Sequence, residues 1–258
     1  MEQTQQRQIW RLSTYDLAIA GIFGAIAIVL SFTPLGLIPV PNPTGAATTL
    51  HIPAIIAGIV AGPVVGALVG LVLAISSWAR YSGTFVTFAG GNVFVALLAA
   101  FLPRILIGVV AYYVYRLLRR WFVSSLFFGA LVALIAAIAA WVSSYLSIMG
   151  LSKGNALLAI VIACLWGTLI GVGIFYVYYK LRPAPALPAI AASLAGTLTN
   201  SVGVLGLLMA LGTMPPTLLV PVFAMNVPLE ATLAVMITLP TIAVLCARRP
   251  GSVAAARD

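Results

Sequence analysis

Long apolar runs alternate with short polar joints along the whole chain. A polar stretch, 1–14, gives way at Ser13-Thr14-Tyr15-Asp16 to an apolar run ending near Thr33. That Ser-x-x-Asp pattern predicts a capped helix start. A Pro-rich loop follows the run where a signal peptide would carry a small-residue cleavage site, so it reads as a retained membrane span. Further runs cover 50–78, 92–118, 122–149, 155–179, 187–211 and 217–246, each long enough for the roughly 20 residues that a membrane helix needs.

The run 50–78 is the exception. As one helix of about 29 residues it would be roughly 43 Å long, against a hydrocarbon core of about 30 Å. Gly62-Pro63 breaks it near the middle. It is therefore predicted as two short helices, of about 13 and 16 residues, that need tilt or burial among their neighbours. Charge supports the split. Arg116, Arg119 and Arg120, then Lys180 and Arg182, then Arg248 and Arg249 all fall on the side of Arg7 and Arg11 only if 50–78 crosses twice. Both termini and ten of the thirteen basic residues are then cytoplasmic, Arg80 and Lys153 lie in outer loops, and Arg104 lies inside a span.

Composition sharpens the class. Of 258 residues 63% are apolar and 7% charged, against about 25% charged in an average soluble domain, which excludes a soluble globule. No room remains for a separate soluble catalytic domain. The net charge of +9 is a topology signal, since the basic residues cluster between spans. Cys164 and Cys246 are far apart in predicted helices and read as buried packing residues, with no disulfide or metal-ligand spacing. Gly150-Leu151-Ser152-Lys153-Gly154 matches a serine-hydrolase pattern but sits in a predicted loop, without the strand-turn-helix that makes such a serine a nucleophile. Neither Lys153 nor Lys180, the two lysines, lies in a nucleotide-binding loop. The expected architecture is an all-α polytopic membrane helix bundle of about eight helices. It forms a single domain over 1–258, with 122–180 as an inserted two-helix hairpin.

Thr48-Thr49-Leu50-His51-Ile52-Pro53-Ala54-Ile55-Ile56-Ala57-Gly58, followed by Ala61-Gly62-Pro63-Val64-Val65-Gly66-Ala67, resembles the substrate-binding (S) subunits of energy-coupling factor transporters, which import vitamins. Pro103-Arg104-Ile105-Leu106-Ile107-Gly108 and Gly196-Thr197-Leu198-Thr199-Asn200-Ser201 resemble the same family. Within it the chain is most similar to pantothenate-type subunits, whose fifth helix reads Thr-Asn-Thr where this chain has Thr199-Asn200-Ser201. The resemblance implies a six-helix core in a prokaryotic plasma membrane. It also implies a small water-soluble vitamin as ligand, no cofactor, and as partners a membrane coupling subunit and two cytoplasmic ATPases. By the same resemblance, Gly21 and Ala25 in the first span correspond to the Ala-x-x-x-Ala surface that docks the coupling subunit; the bare small-residue pattern fits internal packing equally.

Counting along the spans puts Arg104, Asn200 and Glu230 at similar depth. Charge buried there is costly and faces a partner or a cavity. Arg104 either pairs with Glu230, fixing helix packing, or receives an anionic group of a ligand in bidentate fashion. Ala96, Ala100 and Gly108 share its helix face and fit close packing. Asn226 lies one turn before Glu230, and Asn200 shares a face with Ser193, Gly196 and Gly203, so these amides either wall a polar pocket or tie helices together. His51, the one histidine, opens the first short helix near the outer surface and is no metal site by itself. The loops 34–49 and 77–91 are expected on the outer side, the second offering Trp78, Arg80, Tyr81, Thr84, Phe85 and Phe88 as a ligand cover, or its aromatics as membrane anchors.

The reading is a substrate-binding subunit that takes Arg104, Asn200, Asn226, Glu230, Trp78, Arg80 and His51 as ligand contacts. The rival is an autonomous carrier or channel for a small organic anion. An enzyme is not expected, because no nucleophile and base pair and no metal cluster emerge.

Overall fold

The computed structural model describes residues 12–40, 46–121, 186–213 and 216–247, together with Thr168 and Val172. Six α-helices occupy them: α1 (Thr14–Phe32), α2 (Ile52–Ala61), α3 (Pro63–Phe88), α4 (Val93–Trp121), α5 (Ala186–Ala210) and α6 (Pro216–Ala247). All but α2 are long and apolar enough to cross a membrane. The expected hairpin 122–180, both termini, the Gly150–Gly154 motif and Cys164 lie outside the described residues, as does the side chain of Cys246.

Local chemistry sets the helix ends. The capping box opens α1 as expected: the Ser13 hydroxyl accepts the Asp16 N–H at 3.2 Å, and the Asp16 carboxylate accepts the Ser13 N–H at 2.9 Å. Gly62, at φ 100°, splits α2 from α3 at the expected place. The lengths differ from expectation, however. With 10 residues, α2 spans about 15 Å, half the hydrocarbon core. Its first eight residues, Ile52 to Ile59, are buried among the longer helices.

Helix α3 runs 26 residues to Phe88, through most of the stretch expected as a loop from Ser77 to Gly91. Polar residues there suggested a loop, yet the backbone stays helical apart from a kink at Tyr81 (φ −121°, ψ 17°). The stop is set by Gly90 and Gly91, which take φ of 63° and 86° and return the Gly91 N–H to the Val86 carbonyl at 2.9 Å.

The all-α expectation needs one correction. Residues 34–49 contain a turn of 3-10 helix, Pro34–Gly36, and a two-stranded antiparallel sheet, β1 (Leu37–Pro39) and β2 (Ala46–Thr48), in the register Leu37 to Thr48, Ile38 to Ala47 and Pro39 to Ala46. The strap is tied down beside α2 by the Thr49 N–H to the Gly36 carbonyl (3.1 Å) and the Thr49 hydroxyl to the Leu35 carbonyl (3.0 Å).

Helix α4 is central, with α3 on one side and α5 on the other. Glycine backbone makes both seams. A Cβ on Gly66 would sit 2.7 Å from the Gly58 Cα and 2.8 Å from the Gly108 Cα, so α2, α3 and α4 meet backbone to backbone. Gly70 faces the Arg104 carbonyl in the same way, and from α5 a Cβ on Gly203 would come within 2.7 Å of Pro103. Lipid supplies no hydrophobic drive between helices, so such close approach, with its dispersion contacts, is what binds them. Ala96, Ala100 and Gly108 are buried on the Arg104 face, as expected. Outward positions carry Leu17, Ile22, Ile26, Ile75, Leu102 and Val244, exposed apolar residues suited to lipid.

Two substitutions separate seam glycines from surface ones. Gly66→Val should cost about 1–3 kcal/mol or more through overpacking and lower the thermal midpoint in detergent. Gly21→Val, with nothing within 4 Å of the added Cβ, should leave it unchanged. Equal midpoints would refute the three-helix contact.

Candidate functional site

Polar side chains from five segments converge where α4, α5 and α6 meet the strap. Helix α6 supplies Asn226 and Glu230, one turn apart and both buried. Glu230 is 1% exposed. Its Oε1 accepts the Thr48 N–H at 2.7 Å and its Oε2 accepts the Ser201 hydroxyl at 2.8 Å. The Asn226 amide donates to the Ala46 carbonyl at 3.1 Å. Short hydrogen bonds to a carboxylate are the strong kind, and here they take the place of a cation.

Arg104 is 9% exposed. Its Nη1 donates to the Ala100 carbonyl, one turn back on α4, at 2.7 Å. Its Cζ lies 4.9 Å from the centre of the Phe85 ring, a cation–π distance. Phe85 in turn stacks on Trp78, with centroids 6.4 Å apart and planes 23° from parallel. The expected pairing of Arg104 with Glu230 is not formed. The carboxylate is occupied by the strap and by α5, and the guanidinium folds back along its own helix over an aromatic ring. Among the described residues the Ala100 carbonyl is the one hydrogen-bond acceptor that Arg104 engages, which leaves most of its five donors without an acceptor among them.

His51 opens α2, as expected, and is fully buried in the bundle, with its Nε2 3.0 Å from the Thr197 hydroxyl of α5. Its Nδ1 is buried without a partner among the described residues. The side chain of Asn200, one turn past Thr197 and beside Ser201, is 7% exposed and makes no hydrogen bond to a described residue. The contact of Gly203 with Pro103 sets the Asn200 and Arg104 turns at a common depth.

The sequence-expected residues therefore divide. Arg104, Asn200, His51, Asn226 and Glu230 come together, and Trp78 stands behind Phe85. Arg80 does not join them: it is exposed, with its guanidinium 5.4 Å from the Tyr81 ring centre. Gly21 and Ala25 lie on an exposed face of α1, while neighbouring Gly24 is buried and packs on Val72. Sequence reasoning did not single out Thr197, Ser201 or the Thr48 N–H as site groups. Thr197 and Ser201 were signalled by helical spacing around Asn200, and a backbone N–H leaves no trace in sequence; Phe85, expected on a loop, is carried instead by α3, which continues past Trp78.

A bundle of apolar helices enclosing hydrogen-bonded polar groups, with Arg104 unpaired with any carboxylate among the described residues, suits a multi-pass membrane protein. The family model of the ECF transporter substrate-specific component matches residues 15–179, and the chain belongs to that family. Its members are the substrate-binding subunits of transporters and not enzymes, and they work with a membrane and ATPase module. The match ends before α5 and α6, which hold Thr197, Asn200, Asn226 and Glu230. Comparison with curated proteins and with solved structures returned no match.

The link between His51 and Thr197 can be measured. Thr197→Val removes the hydroxyl and keeps the shape, which strands the histidine ring and should cost about 1–3 kcal/mol. In a His51→Phe background the same change should cost much less. Additive losses in thermal unfolding would show that the two side chains do not interact.

Proposed function

We infer that the chain binds a small water-soluble vitamin bearing a carboxylate, pantothenate foremost, from the outer side of a prokaryotic plasma membrane. The observation that carries this reading is Arg104: nine-tenths buried, held in place by Ala100 and Phe85, and without a carboxylate partner among the described residues. A ligand carboxylate would complete it through two parallel N–H bonds. Asn200 supplies an amide that both donates and accepts, suited to the hydroxyl and amide groups of such a ligand. His51 and Thr197 form the floor, and Phe85 backed by Trp78 forms an apolar wall. Asn226 and Glu230 contribute by holding the strap.

Energy comes from partners, a membrane coupling subunit and two cytoplasmic ATPases. Gly21 and Ala25 are the docking surface for the first of these, since their face of α1 is apolar and exposed. The segment 122–180 is an added helical hairpin of the same domain.

Calorimetry on the purified chain should detect one-to-one binding of pantothenate in a panel with folate, riboflavin, biotin and thiamine. Arg104→Ala should weaken it roughly 10- to 150-fold, the value of about 1.5–3 kcal/mol for hydrogen bonds to a charged group. Unchanged binding by folded Arg104→Ala protein would remove Arg104 from the site. Gly21→Leu with Ala25→Leu should leave that binding intact while abolishing copurification with the coupling subunit. Uptake by vesicles holding the chain alone would instead identify an autonomous carrier.

A further inference from the structure

Hydroxyls on the apolar helices of this bundle mostly satisfy themselves. Those of Ser31, Thr87, Ser193, Thr199, Thr232 and Thr241 each donate to the carbonyl four residues back, at 2.7–2.9 Å. Ser77 on α3 does not. It is 1% exposed, and its Oγ is buried without a partner among the described residues. The reason is local: the carbonyl four residues back belongs to Leu73 and is engaged by the Ser76 hydroxyl at 3.1 Å. Together with the helical N–H bond, that fills both lone pairs of the oxygen. One turn further along α3 the Tyr81 hydroxyl is also buried without a partner among the described residues. A hydroxyl kept from water in a membrane bundle costs free energy until some group accepts its proton.

Thr33 and Thr238 share that state, and what sets Ser77 and Tyr81 apart from them is position. Arg104 touches α3 at two places: Gly70 meets its carbonyl, and the Phe85 ring lies 4.9 Å from its guanidinium carbon. Ser77 and Tyr81 fall between these contacts in sequence. At 3.6 residues per turn both point within about 20° of the Gly70 direction, so they occupy the face of α3 that is turned to Arg104.

We propose that Ser77 and Tyr81 are specificity-determining residues of the solute site, donating their hydroxyls to the same ligand carboxylate that Arg104 binds. This rests on the carboxylate reading above and sharpens it. A carboxylate offers about four acceptor positions. The guanidinium takes two in parallel, and the two hydroxyls complete the set from the α3 side. A ligand ending in an alcohol brings fewer acceptors and no charge, so it leaves buried donors unpaired, and unpaired donors discriminate strongly between otherwise similar ligands.

The test has two arms, both on the full-length chain in lipid nanodiscs. In the first, Cys164 and Cys246 are replaced by alanine and Ser77→Cys supplies a single thiol. It is treated with an anionic and a cationic methanethiosulfonate reagent, each rate being taken relative to that with free cysteine. Beside the arginine charge the anionic reagent should react about tenfold faster than the cationic one, and Arg104→Gln should erase the preference. A thiol that neither reagent reaches overturns the proposal, as does an absent preference or one that survives Arg104→Gln.

The second arm compares, by calorimetry, pantothenate with pantothenol, in which an alcohol replaces the carboxylate. Ser77→Ala and Tyr81→Phe should each weaken pantothenate about tenfold, the low end for a hydrogen bond to a charged group, and leave pantothenol within about twofold of the parent. Equal losses for both ligands mean a structural role and overturn the proposal. So does pantothenate binding that neither substitution changes, an outcome that leaves the Arg104 site standing. If the parent does not bind pantothenate, the vitamin reading falls, and the thiol arm still decides whether Ser77 faces the arginine charge.

Discussion

Helices in a bilayer gain nothing by hiding apolar side chains from lipid tails that are just as apolar, so a stable bundle must gain from closeness. In this protein closeness means glycine. Gly58, Gly66 and Gly108 bring α2, α3 and α4 into backbone contact, Gly70 admits the Arg104 carbonyl, and Gly203 seats on Pro103. The position of every polar side chain in the site follows from these seams. Arg104 in particular is gripped at its own backbone by α3 and, through the preceding proline, by α5.

Placing charge inside such a bundle costs energy unless the charge is matched. The two buried charges are met differently. Glu230 is surrounded by donors, a backbone N–H and a hydroxyl, and is chemically spent. Arg104 has one carbonyl and one aromatic face, which hold it in place and leave its charge open. With no direct ion pair between them, Glu230 ties the strap to α5, and Arg104 keeps most of its donors unengaged among the described residues.

The strap makes that division possible. A ten-residue helix cannot cross the membrane, so the chain before α2 must descend into the bundle, and its backbone polar groups descend with it. β1 satisfies one edge of β2, and α6 satisfies the other with Asn226 and Glu230. The same bonds hold the polar descent against the site.

Much of this was legible in the chain. Period and length located α1, α4, α5 and α6, Gly62-Pro63 marked the break ahead of an α3 longer than expected, and Ser13 with Asp16 marked the first helix start, because each depends on local sterics or on hydrogen bonds a few residues apart. Depth counting brought Arg104, Asn200 and Glu230 to one level, since rise per residue is constant along a helix. What counting could not supply was rotation and partnership. Arg104 and Glu230 share a depth yet do not pair, because Glu230 meets a backbone N–H more than 180 residues away in sequence and the guanidinium finds its carbonyl and ring on α4 and α3. His51 is buried because α2 packs among the longer helices, and the strap pairs because α6 offers its edge a matching donor and acceptor. Local sequence determined the elements and their polar content. Only the packing of distant helices decided which polar groups would satisfy one another, because those bonds form between segments that no periodicity relates.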